Sequence, residues 1–139
     1  MPDVSLAFDH VHLVSQDPHS AASWYVAKLG GKIIKAGDIQ GVPQIHLSLG
    51  DTMVIVRGQR DAELATERPG SHRGIDHFGL RVDGDFNGFC AGLRSKGVAF
   101  SVEPTDLNPT TRIAFIQAPD EVSVELVARK DQRIESAPK

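Results

Sequence analysis

Hydrophobic and polar positions change period along the chain in an order that occurs twice. Residues 8–15 alternate, with Val11 and Leu13 on one side and His10 and His12 on the other, the period-two pattern of a half-buried strand. Residues 18–29 then follow a helical period. Asp17 and Pro18 mark its start, Trp24, Tyr25 and Leu29 are the expected anchors, and Gly30 ends it. Three strands are expected next, near 32–37, 42–49 and 51–58, with turns at 37–41 and at Gly50-Asp51. A strand at 75–83, a helix at 86–97 and strands at 99–103, 111–117 and 121–128 repeat the series. The order is βαβββ, twice.

The two series also align residue against residue. Phe8-Asp9-His10-Val11-His12-Leu13 matches Ile75-Asp76-His77-Phe78-Gly79-Leu80 at a spacing of 67, and the same spacing carries Gly30 onto Gly97. Asp51-Thr52-Met53-Val54-Ile55-Val56 matches Asp120-Glu121-Val122-Ser123-Val124-Glu125 at a spacing of 69. Two copies fall short of the three that a stacked array needs, so this is a duplicated module. Module one spans about 7–58 and module two about 75–128. A charged, Pro/Gly-containing connection occupies 59–74, and 129–139 reads as a solvated tail. The expected class is α+β. Two βαβββ modules of one domain pair into a curved, mostly antiparallel half-barrel cleft with the helices outside.

Strand parity names the residues that face such a cleft. On the first strand they are His10 and His12, and on its repeat His77, Gly79 and Arg81. Ile45, Leu47 and Leu49 belong to the helix side of their strand, which leaves Gln44, His46 and Ser48 for the cleft. In the last strand Val122, Val124 and Leu126 are core, and Ser123, Glu125 and Val127 face inward. Four histidines, a glutamate and an arginine on one surface exceed what an apolar lining would hold, since each unpaired buried polar group costs roughly 1–3 kcal/mol.

Composition narrows the setting. A chain of 139 residues and 15.0 kDa with 40% hydrophobic and 24% charged residues is globular. A net charge of -3 without a basic run argues against nucleic acid as a partner, and no apolar run is long enough to span a membrane. The first residues, Met-Pro-Asp-Val-Ser, have no secretory pattern, and the single Cys90 fits a reducing compartment, so a cytoplasmic protein is expected. Cys90 lies among Phe86, Phe89 and Leu93 and reads as an apolar filler.

The Asp-His-Val-His-Leu and Ile-Asp-His-Phe-Gly-Leu-Arg-Val starts, together with the Val-Glu-Leu-Val ending, resemble the vicinal oxygen chelate superfamily over about residues 6–128. That superfamily contains glyoxalase I, methylmalonyl-CoA epimerase, fosfomycin-resistance proteins, bleomycin-resistance proteins and extradiol dioxygenases. The resemblance implies metal ligands on the first and last strands of the modules, which here are His10, His77 and Glu125. At the spacing of 69 Glu125 falls on Val56, which cannot bind a metal, so three protein ligands remain. Gln44 or His46 is an alternative fourth. Imidazole and carboxylate together suit one divalent ion of Zn, Ni, Co, Fe(II) or Mn.

Two functions follow from the resemblance. The first is a glyoxalase-like lyase or an epimerase or isomerase, in which a small substrate chelates the metal through vicinal oxygens. His46 or His12 then moves the proton alpha to a carbonyl, giving a metal-stabilised enediolate or enolate. Extradiol cleavage and fosfomycin-type transfer are further members of this class. The second is a metal-free binding protein of the bleomycin-resistance type. Gln44 and Arg81 are the substrate-binding candidates, although Arg81 equally suits an ordinary salt bridge. His19 and His72 read as solvated. A homodimer is implied, with the modules either exchanged between chains or not.

Overall fold

The computed structural model describes residues 8–60, 75 and 77–130, and the chain divides into two compact units, 1–67 and 68–139. Most of the connection assigned to 59–74, His72 within it, and the tail beyond residue 130 lie outside the described residues.

The first unit runs β1 (His10–Ser15), α1 (Pro18–Leu29), β2 (Lys32–Ile39), β3 (Val42–Leu49) and β4 (Thr52–Gly58). Its four strands form one mixed sheet in the order β1-β4-β3-β2, with β1 parallel to β4 and the other pairs antiparallel. The crossover through α1 is what lets β1 lie parallel to β4. Asp17 caps α1 by accepting from the Ser20 amide at 3.1 Å, Pro18 fills the first turn, and Gly30 closes it at φ 74°. The buried stripe of the helix is Pro18, Ala21, Ala22 and Tyr25, the i, i+3, i+4, i+7 positions of one face. Of the expected anchors only Tyr25 is buried. Trp24 and Leu29 lie beside the stripe, half-buried, and Trp24 meets the Tyr25 ring edge-on at 5.2 Å. Ile45, Leu47, Leu49, Val54 and Val56 form the core beneath α1. β2 continues to Ile39, so the turn shrinks from the expected 37–41 to Gln40-Gly41, both at positive φ.

The second unit repeats this with β5 (Phe78–Arg81), α2 (Phe86–Ser95), β6 (Phe100–Asn108), β7 (Thr111–Gln117) and β8 (Ser123–Arg129), in the order β5-β8-β7-β6. Again the first and last strands are parallel and the rest antiparallel. Asp85 caps α2 by accepting from the Gly88 amide at 3.0 Å. The helix stops at Ser95, two residues before the expected end, and Gly97 turns the chain at φ 83°. Phe86, Cys90 and Leu93 are its buried side, and burial pushes the Cys90 thiol pKa up, consistent with a filler. β6 runs five residues beyond its expected end at 103. It tolerates Pro104 because it is an edge strand with irregular register. Among the described residues no helix is long and apolar enough to cross a membrane.

The modules differ in one turn. Leu49 pairs with Thr52 across Gly50-Asp51, whereas Ala118 bonds Val122 across the three residues Pro119–Glu121. Asp120 and Glu121 both adopt positive φ, 63° and 61°. A left-handed conformation costs an L-residue roughly 1–2 kcal/mol, and glutamate lacks the short side chain that eases it for aspartate. Glu121→Gly is therefore expected to raise unfolding stability by about 0.5–1 kcal/mol, net of the greater freedom glycine adds to the unfolded chain. Urea unfolding with an unchanged slope is the measurement.

Candidate functional site

In the second unit β5 and β8 bring two of the expected metal ligands together. Gly79 pairs with Glu125 in the parallel ladder, and strand alternation sets His77 on the same face. His77 Nε2 donates to Glu125 Oε1 at 3.1 Å, although the residues are 48 apart in the chain. Both side chains are largely shielded, at 31% and 20% exposure, so the carboxylate sits in a site where a partner is needed. A Cβ at Gly79 would lie 3.7 Å from Glu125 Oε1, an ordinary contact distance, so an alanine would also fit beside the carboxylate. Phe115, from β7, stands edge-on to the His77 ring with centroids 4.9 Å apart and limits its rotation. Arg81, one residue pair along, donates to Asp83 at 3.1 Å and is exposed, which is the salt-bridge alternative.

In the first unit one sheet face carries the remaining candidates. The registers align His12 with Ile55, Ile55 with His46, and His46 with Lys35. His10 lies beside His12, their rings 6.1 Å apart and edge-on. Asp9 Oδ2 accepts from His10 Nδ1 at 2.6 Å, which leaves Nε2 as the ring nitrogen available to a ligand. The side-chain amide of Gln44 donates to His46 Nε2 at 3.2 Å. Partial burial first, then the Arg57 guanidinium, lowers the His12 pKa, and burial followed by the Lys35 ammonium does the same for His46. Both rings are thereby biased to the neutral form at pH 7. His19 is exposed at the start of α1.

The ladders correct two expected equivalences. Glu125 opposes Gly79 and Ile55 opposes His12, so the repeat partner of Glu125 is Ile55, at a spacing of 70, and not Val56. Val56 points under α1 and is fully buried. By the same reasoning Phe115, not Ala114, stands where His46 stands in module one. The extra residue in the Pro119–Glu121 turn causes the first shift. Isoleucine, like valine, cannot hold a metal, so the conclusion about a missing fourth ligand is unchanged. Sequence reasoning left out Asp9 and Phe115. The Asp-His pair was visible as a motif, but the ring contact of Phe115 depends on β7 pairing with β8. Among the described residues no three His, Cys, Asp or Glu side chains gather into a metal-binding group.

A family model described as Glyoxalase/Bleomycin resistance protein/Dioxygenase superfamily matches residues 7–126. Comparison with curated proteins found no match. Among solved structures, the chain is similar to a glyoxylase/bleomycin resistance protein/dioxygenase domain from Frankia sp. EAN1pec, with a TM-score of 0.76 and 21% identity over 91% of this chain and 99% of that one. It is also similar to the trypanothione-dependent glyoxalase I of Leishmania major, with a TM-score of 0.72 and 19% identity over 95% and 93% of the two chains. A third similar structure is TioX from Micromonospora sp. ML1, with a TM-score of 0.67 and 17% identity over 88% and 95%. At these identities the likeness is one of fold.

Proposed function

Because the chain belongs to the Glyoxalase/Bleomycin resistance protein/Dioxygenase superfamily, we propose that it is a metal-dependent enzyme acting on a small substrate with two vicinal oxygens. The reaction class is that of a glyoxalase-like lyase, an epimerase or an isomerase: transfer of a proton next to a carbonyl. The observation that carries this reading is the pair His77 and Glu125, an imidazole and a carboxylate held 3.1 Å apart by parallel strands. Imidazole and carboxylate are both donor types that a divalent cation takes, and the β5–β8 ladder holds the two side chains next to each other. His10 is the third donor of the set, with Asp9 holding Nδ1 so that Nε2 is free to coordinate. This donor chemistry fits Zn, Ni, Co, Fe(II) or Mn. A divalent ion, when bound, supplies positive charge for an oxygen that becomes anionic.

The chain's own residues supply the rest. His12 is assigned as the base, since it adjoins His10 on the same strand and face. His46 lies two strands away from β1, roughly 10 Å by strand spacing, and one of its nitrogens is engaged by Gln44. His46 and Gln44 are therefore assigned to substrate binding. Arg81 is a weaker substrate contact because Asp83 already holds it.

Elemental analysis of purified protein tests the reading. About one divalent ion per chain is expected. A protein that neither contains nor takes up Fe(II), Mn, Zn, Co or Ni would instead be a sequestering module of the bleomycin-resistance type.

A homodimer is also proposed. The edge strands β2 and β6 leave Ile33, Ile34 and Leu107 more than half exposed, at 52%, 55% and 65%, and a second copy can cover such edges. Sedimentation at micromolar concentration is expected to give the dimer mass. A monomer alone would remove this assignment.

A further inference from the structure

The outer corner of the first unit's sheet gathers a lysine, a glutamine and a histidine around one recess. Ile33 pairs with Leu47, yet Lys35, two residues on, pairs with the adjacent His46, so β2 bulges at Ile34. Without the bulge Ile34 would oppose His46 and Lys35 would turn to the helix side. With it, the ammonium of Lys35 shares a face with His46. The next pair along is Gly37 and Gln44, and a Cβ at Gly37 would meet nothing within 4 Å. Lys35, Gly37, Gln44 and His46 line a recess of about 180 Å³. That is below the roughly 300–1,000 Å³ of a pocket for a whole small molecule, so it suits one functional group.

Comparison of the two modules separates architecture from chemistry. β6 has the same bulge, between Phe100 and Val102, with Val102 opposite Phe115. The bulge therefore belongs to the module, but what it presents differs. In module two the row reads Gly79, Glu125, Phe115, Val102, and in module one it reads His12, Ile55, His46, Lys35. Arg57 lies on the same face of module one, paired with Gln44. None of the strand positions on this face is acidic. Asp38 also lines the recess, but it pairs with Pro43, and alternation turns its side chain to the opposite face from Lys35 and His46. Lys35 forms no ion pair among the described residues.

We infer that Lys35, Gly37, Gln44 and His46 form a seat for a small oxyanion, a carboxylate or a phosphate. Lys35 supplies the charge, the Gln44 amide supplies a donor, and the bare Gly37 backbone gives the group room to approach. That the oxyanion is part of the substrate rests on the proposed function. The seat itself does not.

The test is a titration of isotope-labelled protein with inorganic phosphate, and separately with acetate, at constant ionic strength, before and after chelation of metal. Saturable shifts of the Gly37 backbone amide and the Gln44 side-chain amide are expected in both states. The tighter of the two anions identifies the group. Lys35→Met is expected to weaken binding roughly 10- to 100-fold, the range for loss of a hydrogen bond to a charged group, and Lys35→Arg to retain it, while Gly37→Val is expected to weaken binding by filling the space the anion occupies. Gly37→Val fills open space, and Lys35 is exposed, so neither change threatens the fold. The inference is overturned by any of three results: no saturable shift with either anion, equal affinity in Lys35→Met, or binding that vanishes with the metal. The first two leave the metal reading intact, and an absent metal with anion binding retained leaves the seat intact.

Discussion

Glu125→Gln is expected to reduce the metal retained through purification from about one ion per chain to background while leaving the fold in place. The amide keeps the size of the side chain and can still accept from His77 Nε2, so the 3.1 Å contact has a neutral substitute. What it removes is the anionic oxygen. The loss in affinity should exceed the roughly 10- to 100-fold typical of residues that only support a ligand. Asp9→Asn provides that comparison, because it alters the group behind His10 without removing a donor. Metal analysis together with circular dichroism checks both. Full metal content in Glu125→Gln would exclude Glu125 as a ligand and with it the three-donor set.

His12→Gln is expected to lower turnover roughly 10²–10⁴-fold, the range for loss of a general base, with metal content unchanged. The substrate for this assay is one found by screening small α-hydroxy carbonyl compounds. His46→Gln should act differently. Its ring shares a row with Lys35 and bonds Gln44, so its loss should raise KM more than it lowers kcat. If His46→Gln takes the larger loss in kcat, the two roles are exchanged. If it loses metal first, His46 is a fourth ligand.

Much of the fold was legible before any coordinates. The two period changes per copy marked strand, helix and strands, and β3 was bounded correctly at both ends, because hydrophobic alternation and Gly-Asp turns are local properties. Both helices begin at the expected residues, Pro18 and Phe86, and Asp17, read as the start of the first, caps it, since a cap needs only the residues of one turn. Facing was equally legible within each strand, as in Gln44 and His46 against Ile45 and Leu47, because a period of two leaves only two choices.

What the sequence could not determine was the pairing between strands. One additional residue in the Pro119–Glu121 turn moved the partner of Glu125 from Val56 to Ile55, and no local pattern reports which of two adjacent valine-rich registers a ladder adopts. The bulge at Ile34 is of the same kind. It appears only as a mismatch between β2 and β3, yet it decides whether an isoleucine or a lysine stands beside His46. Strand parity alone marks His77 and Glu125 as inward-facing positions 48 residues apart, and it is the family resemblance that implies a shared metal. Their hydrogen bond exists because β5 and β8 lie parallel, and a parallel ladder is made by the tertiary structure between segments that no local interaction joins.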